Sequence, residues 1–327
     1  MKKLGTLVLL LFIVTSSCKN KNQKTYKPES LGAINTLAVV METHLWEGEI
    51  GDKVREHFAA PIPGLTWDEA RFSLEHMPQR VFTGQTRHRR AVLFVSLDSV
   101  NVAHVKTDLY ASPQKVAVIK GSTKEEVIEN IDAMADEIIE EIREMELEEV
   151  QRRFLRSLSQ EKILEEKFGI SLRLPSLYTL GKQGDNFVWI DMEIQKGSMN
   201  ILAYEMPWDS FKNDSTFVRD IVKMRDSVGK KYIPGPDIPN KVTYMVTEKA
   251  FAPYVFSAEI AGRKAAEIRG IWEVQNYPMA GPFLSYIIDD EENKRKMVIE
   301  GFTFAPATNK RDYMFELEAI MKTIKFN

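Results

Sequence analysis

Residues 122–158 carry the pattern that most limits how this chain can fold. Ser122 followed by Glu125 has the spacing of a capping box, and Val127, Ile131, Met134, Ile138, Ile142 and Met145 recur at intervals of three and four, which puts them on one side of a helix. The other side holds Glu125, Glu126, Glu129, Asp132, Asp136, Glu137, Glu140, Glu141 and Glu144, opposed in that stretch by Arg143. The pattern continues through Val150, Phe154 and Leu158 with Arg152, Arg153 and Arg156, so the element either runs on or bends near Glu148. Acidic residues early and basic ones late suit the helix dipole. A charge run of this kind is expected to face water rather than to dock a basic partner or divalent cations.

This helix divides the chain. Before it, residues 36–41 and 91–97 are nearly continuous apolar runs of strand length, as strands covered on both faces require. A helix with Ile50, Val54 and Phe58 on one side lies between them, and 71–74 and 115–119 are further strand candidates. After it, Ile170, Leu172 and Leu174 alternate with polar residues over 168–178, the signature of a half-buried strand. Strands follow near 187–192, 199–204, 244–247, 254–260, 266–274, 283–288 and 297–304, with helices beginning near Ser215 and around Leu317. Consecutive strands with short links imply an antiparallel sheet with helices packed on it. The expected fold is α+β: two α/β sandwich-like halves with largely antiparallel sheets, 31–121 and 166–327, joined by a long acidic amphipathic helix over 122–165. The second half is expected to hold a core of its own.

The N-terminus reads as a targeting device. Lys2 and Lys3 precede an apolar stretch over 4–14, and Thr15, Ser16 and Ser17 put small residues before Cys18. The stretch is shorter than the roughly 20 residues a membrane-spanning helix needs, so its removal is expected. A cysteine directly after small residues resembles a lipobox, in which the thiol receives a diacylglyceryl group, the chain is cut after residue 17, and the new amino terminus is acylated with a fatty acid such as palmitate. Thr15 departs from the aliphatic residue usual at that position. Cys18 is the one cysteine in the sequence, which suits an exported chain whose thiol is consumed by lipid. Residues 18–30, with Lys19, Lys21 and Lys24 and no apolar residue before Tyr26, read as a flexible tether. The formal net charge of −3, more negative once Lys2 and Lys3 are gone, argues against nucleic acid as a partner.

Residues that carry chemistry are few. No nucleophile elbow, paired-histidine zinc helix, phosphate loop or dinucleotide fingerprint occurs. The five histidines have scattered spacings, so neither a metal nor a cofactor is implied. The strongest constellation is Glu267, Arg269 and Glu273, three charges on one face of one strand, where an arginine between carboxylates clamps a polar ligand or tunes an acid for proton transfer. The plainer expectation is a salt-bridge row on an exposed sheet face. The turn Asp289-Asp290-Glu291-Glu292-Asn293 lacks the glycine and spacing of a calcium loop. Tyr277, Pro278 and Met279 fall in an expected loop over 275–281 and are candidate partner anchors, since Tyr and Met are enriched at interfaces.

The runs INTLAVVMETHLWEGEIGD, FGISLRLPSLY, VKMRDSVGKKYIPGP and AAEIRGIWEVQNYPMAGPFLSY, with EGFTFAPATNKRDYMFELEAIMKTI, look like the Bacteroidota lipoprotein family catalogued as domain of unknown function 4837. The likeness spans nearly all of the chain after Cys18 and implies lipoprotein status without an activity. Exported lipoproteins displayed on the cell surface in that group commonly carry an acidic cluster after the lipidated cysteine, and Lys19-Asn20-Lys21-Asn22 has none. The expectation is therefore an envelope lipoprotein, anchored through Cys18 on the outer membrane facing the periplasm. It would bind an envelope protein or glycan partner in a non-catalytic or assembly role. The alternative is a lipid-anchored, carboxylate-dependent hydrolase using Glu267.

Overall fold

The computed structural model describes residues 26–327 apart from residue 213; the signal segment, Cys18 and most of the expected tether lie outside the described residues. The first half runs β1 (Thr36–Val40), α1 (Thr43–Trp46), α2 (Glu49–Phe58), β2 (Ser73–Met77), β3 (Ala91–Leu97), β4 (Val102–Thr107) and β5 (Lys115–Gly121). Its sheet has the order β2-β1-β3-β5-β4, parallel throughout except where β4 returns antiparallel to β5. Parallel strands need cover on both faces. Leu37, Val39, Leu93 and Val95 pack beneath the helices, while Ala38, Val40 and Val92 face Phe82 on the other side. The chain joins this half before the expected end of the tether: Glu29 bridges to Ser112 and Arg152, and the Ser30 N–H donates to the Ser112 carbonyl.

The long helix α3 (Lys124–Phe154) runs 31 residues without a break at Glu148. Its cap is Thr123, one residue later than expected. The Thr123 hydroxyl accepts from the Glu126 N–H, and the Glu126 carboxylate accepts from the N–H and hydroxyl of Ser122. Along its length α3 changes sides. Val127, Ile131, Ile138, Ile142 and Met145 belong to the core of the first half, whereas Leu147, Val150 and Phe154 belong to that of the second. The core of the second half therefore begins before residue 166, because α3 supplies part of it. The acidic side from Glu125 to Glu144 is exposed or half-exposed throughout, while Glu146 and Glu149, beyond it and enclosed between two cores, are buried.

The second half runs α4 (Ile163–Phe168), β6 (Ile170–Ser171), β7 (Thr179–Gly184), β8 (Phe187–Ile194), β9 (Gly197–Pro207), α5 (Phe217–Tyr232), β10 (Met245–Thr247), β11 (Tyr254–Ile260), β12 (Arg263–Val274), β13 (Tyr277–Asp290), β14 (Arg295–Phe304), α6 (Arg311–Met321) and β15 (Lys325–Phe326). Its large sheet is antiparallel, ordered β10-β12-β13-β14-β9-β8-β7, with β11 also paired to β12. One face, through Ile201, Tyr286 and Ile299, packs on α6, α4 and the end of α3. The other, through Trp272, Phe283 and Phe302, packs on α5. The fold is α+β with mostly antiparallel pairing. The strand expected over 168–178 shrinks to β6, which pairs with β15. Ile170 and Leu174 are buried as their alternation requires, but the chain leaves the sheet at Leu172, short of Pro175. No helix among the described residues is long and apolar enough to cross a membrane.

Candidate functional site

The period of two along β12 puts Glu267 and Arg269 on the face covered by α6. Phe256 of β11 and Tyr286 of β13 lie opposite Glu267 in the flanking strands. One carboxylate oxygen of Glu267 accepts from Arg269 Nε at 2.6 Å and the other from the Tyr286 hydroxyl at 2.9 Å. The far side of the Arg269 guanidinium donates to Glu318 at 2.9 Å. Glu318 takes two more cations, Arg143 from α3 and, at 3.3 Å, Lys322 at the cap just past the end of α6. Arg143 also stacks over Phe315, 5.4 Å from the ring centre.

The exposed salt-bridge row is thus replaced by a covered network joining four elements, α3, β12, β13 and α6. The Glu267 and Arg269 side chains keep 16% and 14% of their exposure and Glu318 keeps 2%. Burial alone would raise the Glu318 carboxyl, but Arg143, Arg269 and Lys322 together hold it well below the usual carboxylate range. Burial alone would lower Arg269, yet Glu318 and Glu267 push it above the usual guanidinium range. Glu273 is half-buried at the far end of β12, outside this network.

These groups form the floor of a cleft of 710 Å³ between the halves. Asp136, Glu140 and Glu144 of α3 make one wall, β11 from Phe256 to Ile260 another, and Ile62, Pro63 and Arg71 the third. Gly64 lets that third wall close on β12: its φ is +82°, and a Cβ there would stand 2.8 Å from the Cβ of Arg269. The halves are fastened again at the start of α6, where buried Glu69 accepts from the Lys310 and Arg311 N–H groups, each at 2.8 Å. Burial and the like charge of Arg143 lower Arg71, which has no hydrogen-bond partner for its side chain among the described residues.

The remaining candidates lie elsewhere. The link between β12 and β13 is only Gln275 and Asn276, a tight hairpin with Asn276 at φ 64°, and not the loop expected over 275–281. Tyr277 and Pro278 stay exposed at the start of β13, and Met279 packs on the α5-side core. Three carboxylates of the Asp289–Asn293 turn are tied to cations, Asp289 to Lys296, Asp290 to Arg263 and Arg295, and Glu292 to Arg263. His57 meets Asp132 at 2.6 Å, and His76 stacks on Trp46 with Nε2 3.0 Å from the Met41 carbonyl oxygen. Among the described residues no group of three or more metal-ligating side chains is gathered.

Comparison with known proteins divides the chain at the end of α3. The family model of domain of unknown function DUF4837 matches residues 157–323, and that of domain of unknown function DUF8532 matches residues 30–155. The expected likeness thus covers the second half, and the first matches a model of its own. No curated protein matches the chain. Among solved structures, human StAR-related lipid transfer protein 5 is similar over 53% of this chain and 96% of its own, at 9% identity and a TM-score of 0.24, too loose a superposition to bear on function.

Proposed function

We propose that this chain, which belongs to the family catalogued as domain of unknown function DUF4837, is a lipid-anchored envelope protein that acts by holding a partner rather than by catalysis. One observation carries the preference for binding: both oxygens of Glu267 are engaged, by Arg269 and by Tyr286, and its neighbour Glu318 is fixed by three cations. A general acid has to give up and regain a proton near neutral pH, which requires an environment that favours its neutral form. Here Arg143, Arg269 and Lys322 hold Glu318 in the ionised form, and both oxygens of Glu267 are already taken up by Arg269 and Tyr286. That weighs against the hydrolase reading of Glu267, and the open cleft beside the network is the natural place for a partner to seat.

The anchor rests on the sequence, on the apolar stretch over 4–14 and the small residues before Cys18. On this reading the protein sits on the outer membrane, and the lack of an acidic cluster over Lys19-Asn20-Lys21-Asn22 favours the periplasmic face. Cys18→Ala in the full chain is expected to abolish acyl labelling and to release the protein from washed membranes. Retention of the variant after a high-salt wash would overturn the anchor. Crosslinking through the cleft in intact envelopes is expected to recover a partner that is lost when the acidic wall is reversed. Turnover of an envelope substrate that depends on Glu267 would return the hydrolase.

A further inference from the structure

Strand β11 pairs with β12 along one edge, and among the described residues no group hydrogen-bonds to the backbone along its other edge. An open edge is a template for another strand, and proteins usually blunt it with lysine, proline or a bulge. The sequence YVFSAEI of β11 has neither lysine nor proline, and its register with β12 is unbroken from Tyr254 to Ile260. Two aromatic rings on one face of it, Tyr254 and Phe256, are 52% and 42% exposed and stack 6.5 Å apart.

A cavity opens on each face of this edge. On the side of Phe256 and Ala258 is the 710 Å³ cleft, lined by six carboxylates, Asp136, Glu140, Glu144, Glu259, Glu267 and Glu318, against four cations, Arg71, Arg143, Arg269 and Lys322. Of the six, Asp136, Glu140 and Glu144 have no ion-pair partner among the described residues. On the side of Val255 and Ser257 is a second cavity of 300 Å³, where Phe211, Phe217 and Ile287 supply apolar walls. Successive side chains of a strand point to opposite faces, so a strand laid on β11 would send alternate residues into the two cavities.

We propose that β11 receives an extended segment of a partner protein in which basic and apolar residues alternate. The backbone pairs with the open edge. Basic side chains lie over Phe256 and reach Asp136, Glu140 and Glu144, and apolar ones enter the cavity beside Phe211 and Phe217. Charge selects this occupant over a second copy of the chain, since edge-to-edge pairing of two copies would bring two acidic α3 faces together. The inference sharpens the binding role and is independent of the anchor. If it fails, partner recovery by crosslinking and release by Cys18→Ala keep their own outcomes.

The probe is a labelled seven-residue peptide of alternating lysine and valine, titrated by fluorescence anisotropy into the full chain, with amide hydrogen exchange read in parallel. Binding is expected with new protection confined to 254–260. Controls are the glutamate and valine counterpart and the lysine peptide with alternate backbone amides methylated, which cannot add as a strand. Asp136→Lys with Glu140→Lys is expected to weaken binding by about tenfold, these being exposed positions whose reversal leaves the cores intact. Phe256→Lys, which blunts the edge without opening a buried site, is expected to do likewise. Four results would each overturn the proposal: no binding, equal binding of the methylated peptide, equal binding of the glutamate peptide, or protection outside β11. A concentration-dependent dimer that protects 254–260 without peptide would assign the edge to a second copy.

Discussion

Glu318 on α6 and Glu146 on α3 are both almost fully enclosed, with 1% and 0% exposure, and are held in opposite ways. Glu318 meets three cations drawn from α3, β12 and its own helix, which overcome the desolvation that would raise it and leave it well below the ordinary carboxylate range. Glu146 meets one, Arg90, whose Nε stands 3.0 Å from each carboxylate oxygen while its Nη2 is spent on the carbonyls of Gly32 and Ala33. Burial, with the like charge of Glu149, outweighs Arg90 and the more distant Arg153, and Glu146 is raised. The number of counter-charges, rather than depth, decides the direction. Where the halves must stay together charges are overcompensated; within the first half, one pair is enough to dock the segment before β1.

The largest effect that would break this contrast is expected from Glu318→Gln. Three cations would lose their shared anion in a covered site, a loss of about 3–5 kcal/mol by comparison with other broken buried pairs, measured by denaturant midpoint at constant slope. Because the folded-state value lies below the unfolded one, the contribution of Glu318 is complete above about pH 4.5 and shrinks as the pH falls toward the folded value. The gap between the native chain and this variant should therefore narrow in acid. A gap that stays constant well below pH 4.5 would mean that the three cations do not hold the carboxylate.

Half of this network was legible. Glu267 and Arg269 follow from period two on a strand, which needs no knowledge of what covers it. Glu318 was readable only as a charge set between Leu317 and Ile320 on the buried side of the last helix, and placing it over Arg269 requires knowing how α6 crosses the sheet. Arg143 was the lone base on an acidic face, a clue whose meaning depends on the opposite half. The long helix was legible because its period survives any packing. The burial of Glu146 and Glu149 was not, since α3 turns from one core to the other between Met145 and Leu147. Likewise the β12–β13 hairpin hid behind Pro278 and Met279, which read as a loop until Asn276 is seen to take the turn by itself.

A middle effect is expected from Arg143→Ala. Glu318 would keep Arg269 and Lys322, so the loss should be about 1.5–3 kcal/mol, the scale of one hydrogen bond to a charged group. Its stacking on Phe315 goes with it. The sharper readout is hydrogen exchange on either side of the cleft: the amides of α6 should open faster while those of β1 and β3, in the core of the first half, keep their rates. Equal acceleration in both halves would show that the network does not mark the seam.

The smallest effect, and the one that tests the comparison by sign, is expected from Glu146→Gln. A raised folded-state value means that the contribution of Glu146 is present below the unfolded value, about pH 4.5, and is lost as the pH rises through the folded one. Glutamine imitates the protonated form, so in acid the variant and the native chain should agree to within about 1 kcal/mol. As the pH rises the native carboxyl must ionise in a buried site, whereas glutamine is spared that cost and loses only its charge attraction to Arg90. Relative to the native chain, Glu146→Gln should therefore gain stability with rising pH, while Glu318→Gln loses it. The two difference curves, measured in the same buffers, should have slopes of opposite sign, that of Glu318→Gln below about pH 4.5 and that of Glu146→Gln above it. Parallel slopes would mean that Arg90 alone keeps Glu146 ionised through folding, and counter-charge number would no longer explain how the two carboxylates differ.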